Sequence, residues 1–128
     1  MHHTGVVVRD IELHYQKYMQ HFLPGGLGEI YFDSLQEAKV TFLVFGDSRI
    51  ELVEPTNPKS PMSRLLEKKP ATYHHICLLT DDIDRQLDEC REVGQFVVSP
   101  PKPAVAFGGK NIAFVMGRDG LLWELLQE

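Results

Sequence analysis

Two stretches decide the fold: HTGVVVRDIELHYQKY, residues 3–18, and HICLLTDDIDRQLDECR, residues 75–91. Each opens on a histidine and runs through five mostly apolar residues. Each then reaches an Asp-Ile pair, Asp10-Ile11 in the first and Asp82-Ile83 in the second, at a common offset of 72. Further along, RIELVE around Glu51 answers LLWELLQ around Glu124 at an offset of 73. Two matches in the same order and at nearly the same spacing mark an internal duplication.

The elements follow from that repeat. Residues 4–8 and 75–79 are short, apolar and strand-like. Asp10 and Asp82 stand where N-caps belong, each opening a helical pattern. The expected core stripes are Ile11, Tyr15, Tyr18 and Phe22 in one helix and Ile83, Leu87, Cys90 and Val93 in the other. Pro24-Gly25-Gly26 breaks the first helix, and Gly94 stops the second. Strands are expected at 28–32, 38–45 and 49–54, then again at 95–99, 111–116 and 121–127. Turns fall at Gly46-Asp47 and near Gly117–Gly120. The spacing predicts an α+β chain of two tandem βαβββ modules, about 1–56 and 72–128. A linker at about 57–71 joins them, with a short helix at Met62–Lys68.

Bulk properties narrow the function classes. The chain has 128 residues, 43% hydrophobic and 24% charged, which suits a globular domain that needs no structural staple. A net charge of -5 argues against nucleic acid, whose phosphates demand a basic face. No window holds the run of about 18 apolar residues that a membrane span needs, and MHHTGVVVRD is no signal peptide. Cys77 and Cys90 are read as reduced, buried thiols, so a cytoplasmic location is the default expectation.

Alternation along a strand places Glu51 with Val53 on one face and Ile50 with Leu52 on the other. Glu124 likewise shares a face with Leu122 and Leu126, away from Trp123 and Leu125. A carboxylate amid such apolar neighbours is expensive to bury unless it is paired or metal-bound. Singly, each residue has an ordinary reading: a histidine at a strand start bonds locally, and a glutamate sits on an edge. As a duplicated set, His3, Glu51, His75 and Glu124 form a donor group for Zn, Ni, Co or Mn. His2 and His74 face the opposite side of their strands and are read as structural or incidental, and Glu54, before Pro55, as solvated.

An N-terminal histidine before VVV, then IELVEP, YHHI and a closing WEL, resembles the vicinal oxygen chelate superfamily along essentially the whole chain. The EP-x-x-P-x-SP segment (residues 54–61) and the double histidine are similar to its methylmalonyl-CoA epimerase branch. The resemblance implies a curved mixed sheet around a divalent metal held by His3, Glu51, His75 and Glu124. It implies an isomerase that abstracts a proton alpha to a carbonyl, with the metal stabilising the enolate charge. The substrate would be a small acid or its CoA thioester, and a homodimer is compatible with the family. In that branch one base is a separate glutamate of the first module's sheet. Here AKVTFLVF (38–45) has no acid and Glu37 stands just before it, which leaves Glu51 and Glu124 as the bases. The loop PPKPAVAFGGK (100–110) brings Phe107 and Lys110 as substrate-binding residues. Two other readings remain open: a glyoxalase-I-like lyase acting on a glutathione adduct, and a non-catalytic small-molecule binder.

Overall fold

The computed structural model describes all 128 residues, Met1–Glu128. The chain divides into two compact units, Thr4–His74 and Met1–His3 with His75–Glu128. The first three residues thus belong with the second half: the His2 amide donates to the Cys77 carbonyl at 2.8 Å.

In Thr4–His74 the order is β1 (His3–Val8), α1 (Ile11–His14), β2 (Tyr31–Asp33), β3 (Ala38–Phe45), β4 (Ser48–Pro55) and α2 (Pro61–Arg64). β1 runs parallel to β4, with Gly5 opposite Glu51, and β3 is antiparallel to β4, with Phe42 opposite Glu51. β2 adds an antiparallel edge to β3. Val8, Ile11, Tyr15, Leu43 and Leu52 form the core between helix and sheet.

The other unit repeats this plan with β5 (Ala71–Thr80), α3 (Ile83–Glu92), β6 (Phe96–Pro103), β7 (Asn111–Met116) and β8 (Leu122–Gln127). β5 runs parallel to β8, with Cys77 opposite Glu124, and β7 is antiparallel to both β8 and β6. Ile83, Leu87, Cys90, Ala113, Val115 and Leu125 pack between α3 and its sheet. Both cysteines are buried, and neither is in a disulfide.

The helix starts match in detail. Asp10 accepts from the Leu13 amide at 2.9 Å and Asp82 from the Arg85 amide at 3.0 Å, so both are N-caps. A second acceptor reaches each helix from the last strand of its unit: Glu54 Oε1 takes the Ile11 amide and Gln127 Oε1 the Ile83 amide. Glu54 is therefore a structural cap, also 3.8 Å from Lys39, and not the solvated residue expected.

Several expectations need correction. Tyr18 and Phe22 are exposed, because Tyr15–Met19 continues α1 as a π turn, closed by Gln20 N–H to the Tyr15 carbonyl. The wider turn keeps positions four apart in line, so Met19 and Leu23 join Ile11 and Tyr15 instead. Val93 is 76% exposed, because it caps α3 outside helical geometry. The linker helix starts earlier and is shorter than expected, Pro61–Arg64, since Ser60 caps it and Pro61 suits a first turn. β2 begins at Tyr31 rather than 28, and β6 extends to Pro103. No helix is long and apolar enough to cross a membrane.

Candidate metal centre

His75 lies two residues before Cys77 on β5, so the two side chains share a face, and Glu124 sits opposite Cys77 on β8. Strand register therefore puts His75 and Glu124 on one face of the sheet, in diagonal positions on neighbouring strands. His75 Nε2 stands 2.9 Å from Glu124 Oε2. His3, carried into this unit by the chain's first residues, brings its Nε2 to 3.1 Å from His75 Nε2 and 3.8 Å from Glu124 Oε2. All three are buried, at 0%, 5% and 2% exposure for His3, His75 and Glu124.

The donor set fits a divalent metal. Ligand bonds near 2.0–2.1 Å at a tetrahedral angle put donor atoms roughly 3.3 Å apart. Separations of 2.9, 3.1 and 3.8 Å bracket that value, so a cation needs only small side-chain movements. Two neutral imidazoles and a carboxylate also suit borderline transition metals.

The surroundings are apolar and orient the donors. The Cys77 thiol, fully buried, donates to Glu124 Oε1 at 3.7 Å, which leaves Oε2 for the histidines. Phe114, opposite Glu124 in the β7–β8 register, stands edge-on to the His75 ring at 5.3 Å. Phe107 stacks on His3, with centroids 5.8 Å apart and planes 20° from parallel. It comes from a 3-10 turn, Val105–Phe107, closed by left-handed Gly108. Much of the expected loop is thus strand and tight turn. Lys110 is exposed beyond it, and its carbonyl accepts from the Ala104 amide.

In Thr4–His74, Glu51 is 5% exposed, at mid-β4, in register with Gly5 and Phe42. Glu37 is exposed and has a left-handed backbone, φ 53°, at the turn before β3. Of the two readings of His2, structural or incidental, the contact favours the structural one: its Nδ1 lies 2.7 Å from His3 Nδ1. Sequence reasoning missed His2, Cys77 and Phe114. Strand alternation and register could have found the last two, whereas the His2 contact depends on a rotamer.

Residues 2–114 match the family model of the Glyoxalase/Bleomycin resistance protein/Dioxygenase superfamily, and the chain belongs to that superfamily. An ethylmalonyl-CoA/methylmalonyl-CoA epimerase of Cereibacter sphaeroides is 31% identical over 99% of this chain and 96% of its own length. A Streptomyces coelicolor methylmalonyl-CoA epimerase variant, solved with 2-nitronate-propionyl-CoA, is 25% identical with a TM-score of 0.75, covering 98% of this chain and 94% of that one. The Mycobacterium tuberculosis methylmalonyl-CoA epimerase shares the fold, with a TM-score of 0.81 at 22% identity, covering 98% and 85%.

Proposed function

We propose that this chain is a divalent-metal-dependent epimerase that exchanges a proton alpha to a thioester carbonyl, with a small acyl-CoA such as methylmalonyl-CoA as substrate. The observation that carries the reading is the buried trio of His3, His75 and Glu124, whose donor atoms lie 2.9–3.8 Å apart. Likeness to the epimerases over almost the whole chain supports the substrate class. The glutathione-adduct lyase and the non-catalytic binder draw no support from these relatives.

Glu51 is assigned as the fourth ligand. It faces Gly5 across parallel strands as Glu124 faces Cys77, and Gly5 and Cys77 each follow their unit's opening histidine by two residues. A divalent cation, when bound, supplies a Lewis acid that polarises a carbonyl oxygen, worth several kcal/mol of barrier. Glu124 and Glu51 are assigned as the bases, one removing the proton and the other returning it on the opposite face of the carbon. The Cys77 thiol and the His75 ring hold the two oxygens of Glu124 apart, which limits its rotation between turnovers. Phe107 and Phe114 keep water from the histidines. Lys110 is assigned to an anionic group of the substrate.

The test is solvent deuterium uptake into methylmalonyl-CoA by metal-loaded protein. Wild type should exchange the alpha hydrogen. Glu124→Gln should slow that exchange by roughly 10²–10⁴-fold, the usual cost of losing a general base. Metal content is measured alongside, so that loss of the base is separated from loss of the ion. No exchange by loaded wild type rejects this substrate. Unchanged exchange in both the Glu124→Gln and Glu51→Gln variants rejects the bases.

A further inference from the structure

We infer that the row Leu122–Met116–Phe96, on the metal-centre face of β8, β7 and β6, receives an extended alkyl or aryl substituent on the alpha carbon of the thioester substrate. The reaction in that statement rests on the epimerase reading above, whereas the row itself follows from strand register.

Residues opposite each other on antiparallel strands share a face, and so do residues two apart on one strand. Phe114 stands opposite Glu124, and Met116 opposite Leu122. Phe96 in turn stands opposite Met116. The three side chains therefore lie on the face that carries Glu124, one row further toward the turn at Gly117–Gly120. All belong to the His75–Glu128 unit. Their strand neighbours Val97, Val115 and Trp123 point the other way and pack with Ile83 and Leu87 of α3.

Burial separates the two faces. On the helix side Val115 and Leu125 are closed off, at 2% and 4% exposure. On the metal-centre side Met116 and Leu122 are only half-buried, and Phe96 is 63% exposed. A bulge between Val97 and Ser99 adds Val98, 57% exposed, at the outer end. An open apolar row thus begins beside a carboxylate that is itself buried.

The spacing selects the occupant. Rows two residues apart are separated by about 6.8 Å at 3.4 Å per residue. With carbon–carbon bonds near 1.5 Å, a zigzag chain of about five carbons spans that step. A methyl substituent stays at the Glu124 row, and a butyl, hexyl or benzyl group reaches Met116 and Phe96. The pantetheine arm of the thioester fits less well. Its amides need hydrogen-bond partners, which Leu, Met and Phe side chains do not supply. A second copy of the chain fits less well too. One aromatic side chain buries about 150–250 Å², so this row falls short of the roughly 800 Å² per partner of a stable interface.

The experiment takes full-length protein incubated with zinc, as wild type, Phe96→Ser and Phe96→Leu. The ligands are 2-methyl-, 2-ethyl-, 2-butyl- and 2-hexylmalonyl-CoA. Calorimetry reads affinity, and solvent deuterium uptake reads kcat/KM. Wild-type affinity should rise about 2–4-fold per added methylene, the upper figure being that of a fully buried CH₂. The rise should level off once the chain passes Phe96. In Phe96→Ser the hexyl-to-methyl ratio should fall about 4–16-fold, the worth of two methylenes, and Phe96→Leu should keep most of it. Wild-type affinity independent of chain length, or an unchanged ratio in Phe96→Ser, overturns the inference. A wild-type dimer that Phe96→Ser dissociates gives the row to a second copy and overturns it as well. Affinity that climbs with chain length, with no deuterium uptake from any ester, sinks the epimerase reading and leaves the alkyl row upheld. Uptake from methylmalonyl-CoA with no effect of chain length on affinity does the reverse.

Discussion

Replacing His75 with Leu in chelator-treated protein isolates the energetic stake in the buried pair. Leucine restores most of the lost volume, so the main effect is a Glu124 carboxylate at 2% exposure deprived of its 2.9 Å donor. His3 Nε2, 3.8 Å from the same oxygen, is beyond hydrogen-bond reach and substitutes only by moving. The Cys77 thiol at 3.7 Å is a weak donor to the other oxygen. Removing one partner of a buried pair costs about 3–5 kcal/mol, because the survivor stays desolvated and unpaired. Unfolding entropy near 2.1 cal/mol/K per residue, over 128 residues, gives about 0.27 kcal/mol/K. The variant should therefore melt about 11–19 °C below wild type. The double variant His75→Leu/Glu124→Leu removes both polar partners and should recover most of that loss. Calorimetry of the three proteins decides. A single variant within 1 kcal/mol of wild type, or a double variant less stable than the single, refutes the reasoning.

Protein purified without a polyhistidine tag should carry about one divalent ion per chain by plasma emission, lost on His75→Ala or Glu124→Ala. Gly28→Ala should destabilise by roughly 1–3 kcal/mol in urea unfolding. The new methyl would lie 2.9 Å from the Phe42 carbonyl oxygen, which already accepts from the Gly28 amide. Gln127→Ala should cost about 1 kcal/mol and speed hydrogen exchange at the Ile83 amide, which loses its strand-borne acceptor. Burial, followed by the neighbouring Glu89 charge, pushes the Cys90 thiol above its ordinary value of 9.0. Above that pH the unfolded chain ionises first and binds fewer protons, so stability falls as pH rises. Wild type should accordingly lose more stability than Cys90→Ala between about pH 8.5 and 10, the range around a free thiol's pKa; equal losses would deny the effect.

The strands around His3, Glu51, His75 and Glu124 were legible in the sequence because the signals are local and repeated. Apolar alternation marks each strand, an aspartate marks each helix start, and the offsets of 72 and 73 tie the two sets together. The π turn at Tyr15–Met19 was not legible, since one extra residue per turn leaves no mark in composition and still moved Tyr18 and Phe22 into solvent. Glu54 and Gln127 read as strand ends, yet they cap helices more than forty residues away in sequence. Whether an acid before a proline is solvated or bonded depends on what the fold carries to it. The same holds for His2, whose place on the strand predicted the far face. Its amide bond to Cys77 and a side-chain rotamer turned it onto His3. Periodicity and duplication determine which residues share a face. Which atoms then meet is decided by register, rotamer and burial, because a hydrogen bond at 2.7 Å depends on ångström-scale placement that only the packed tertiary structure supplies.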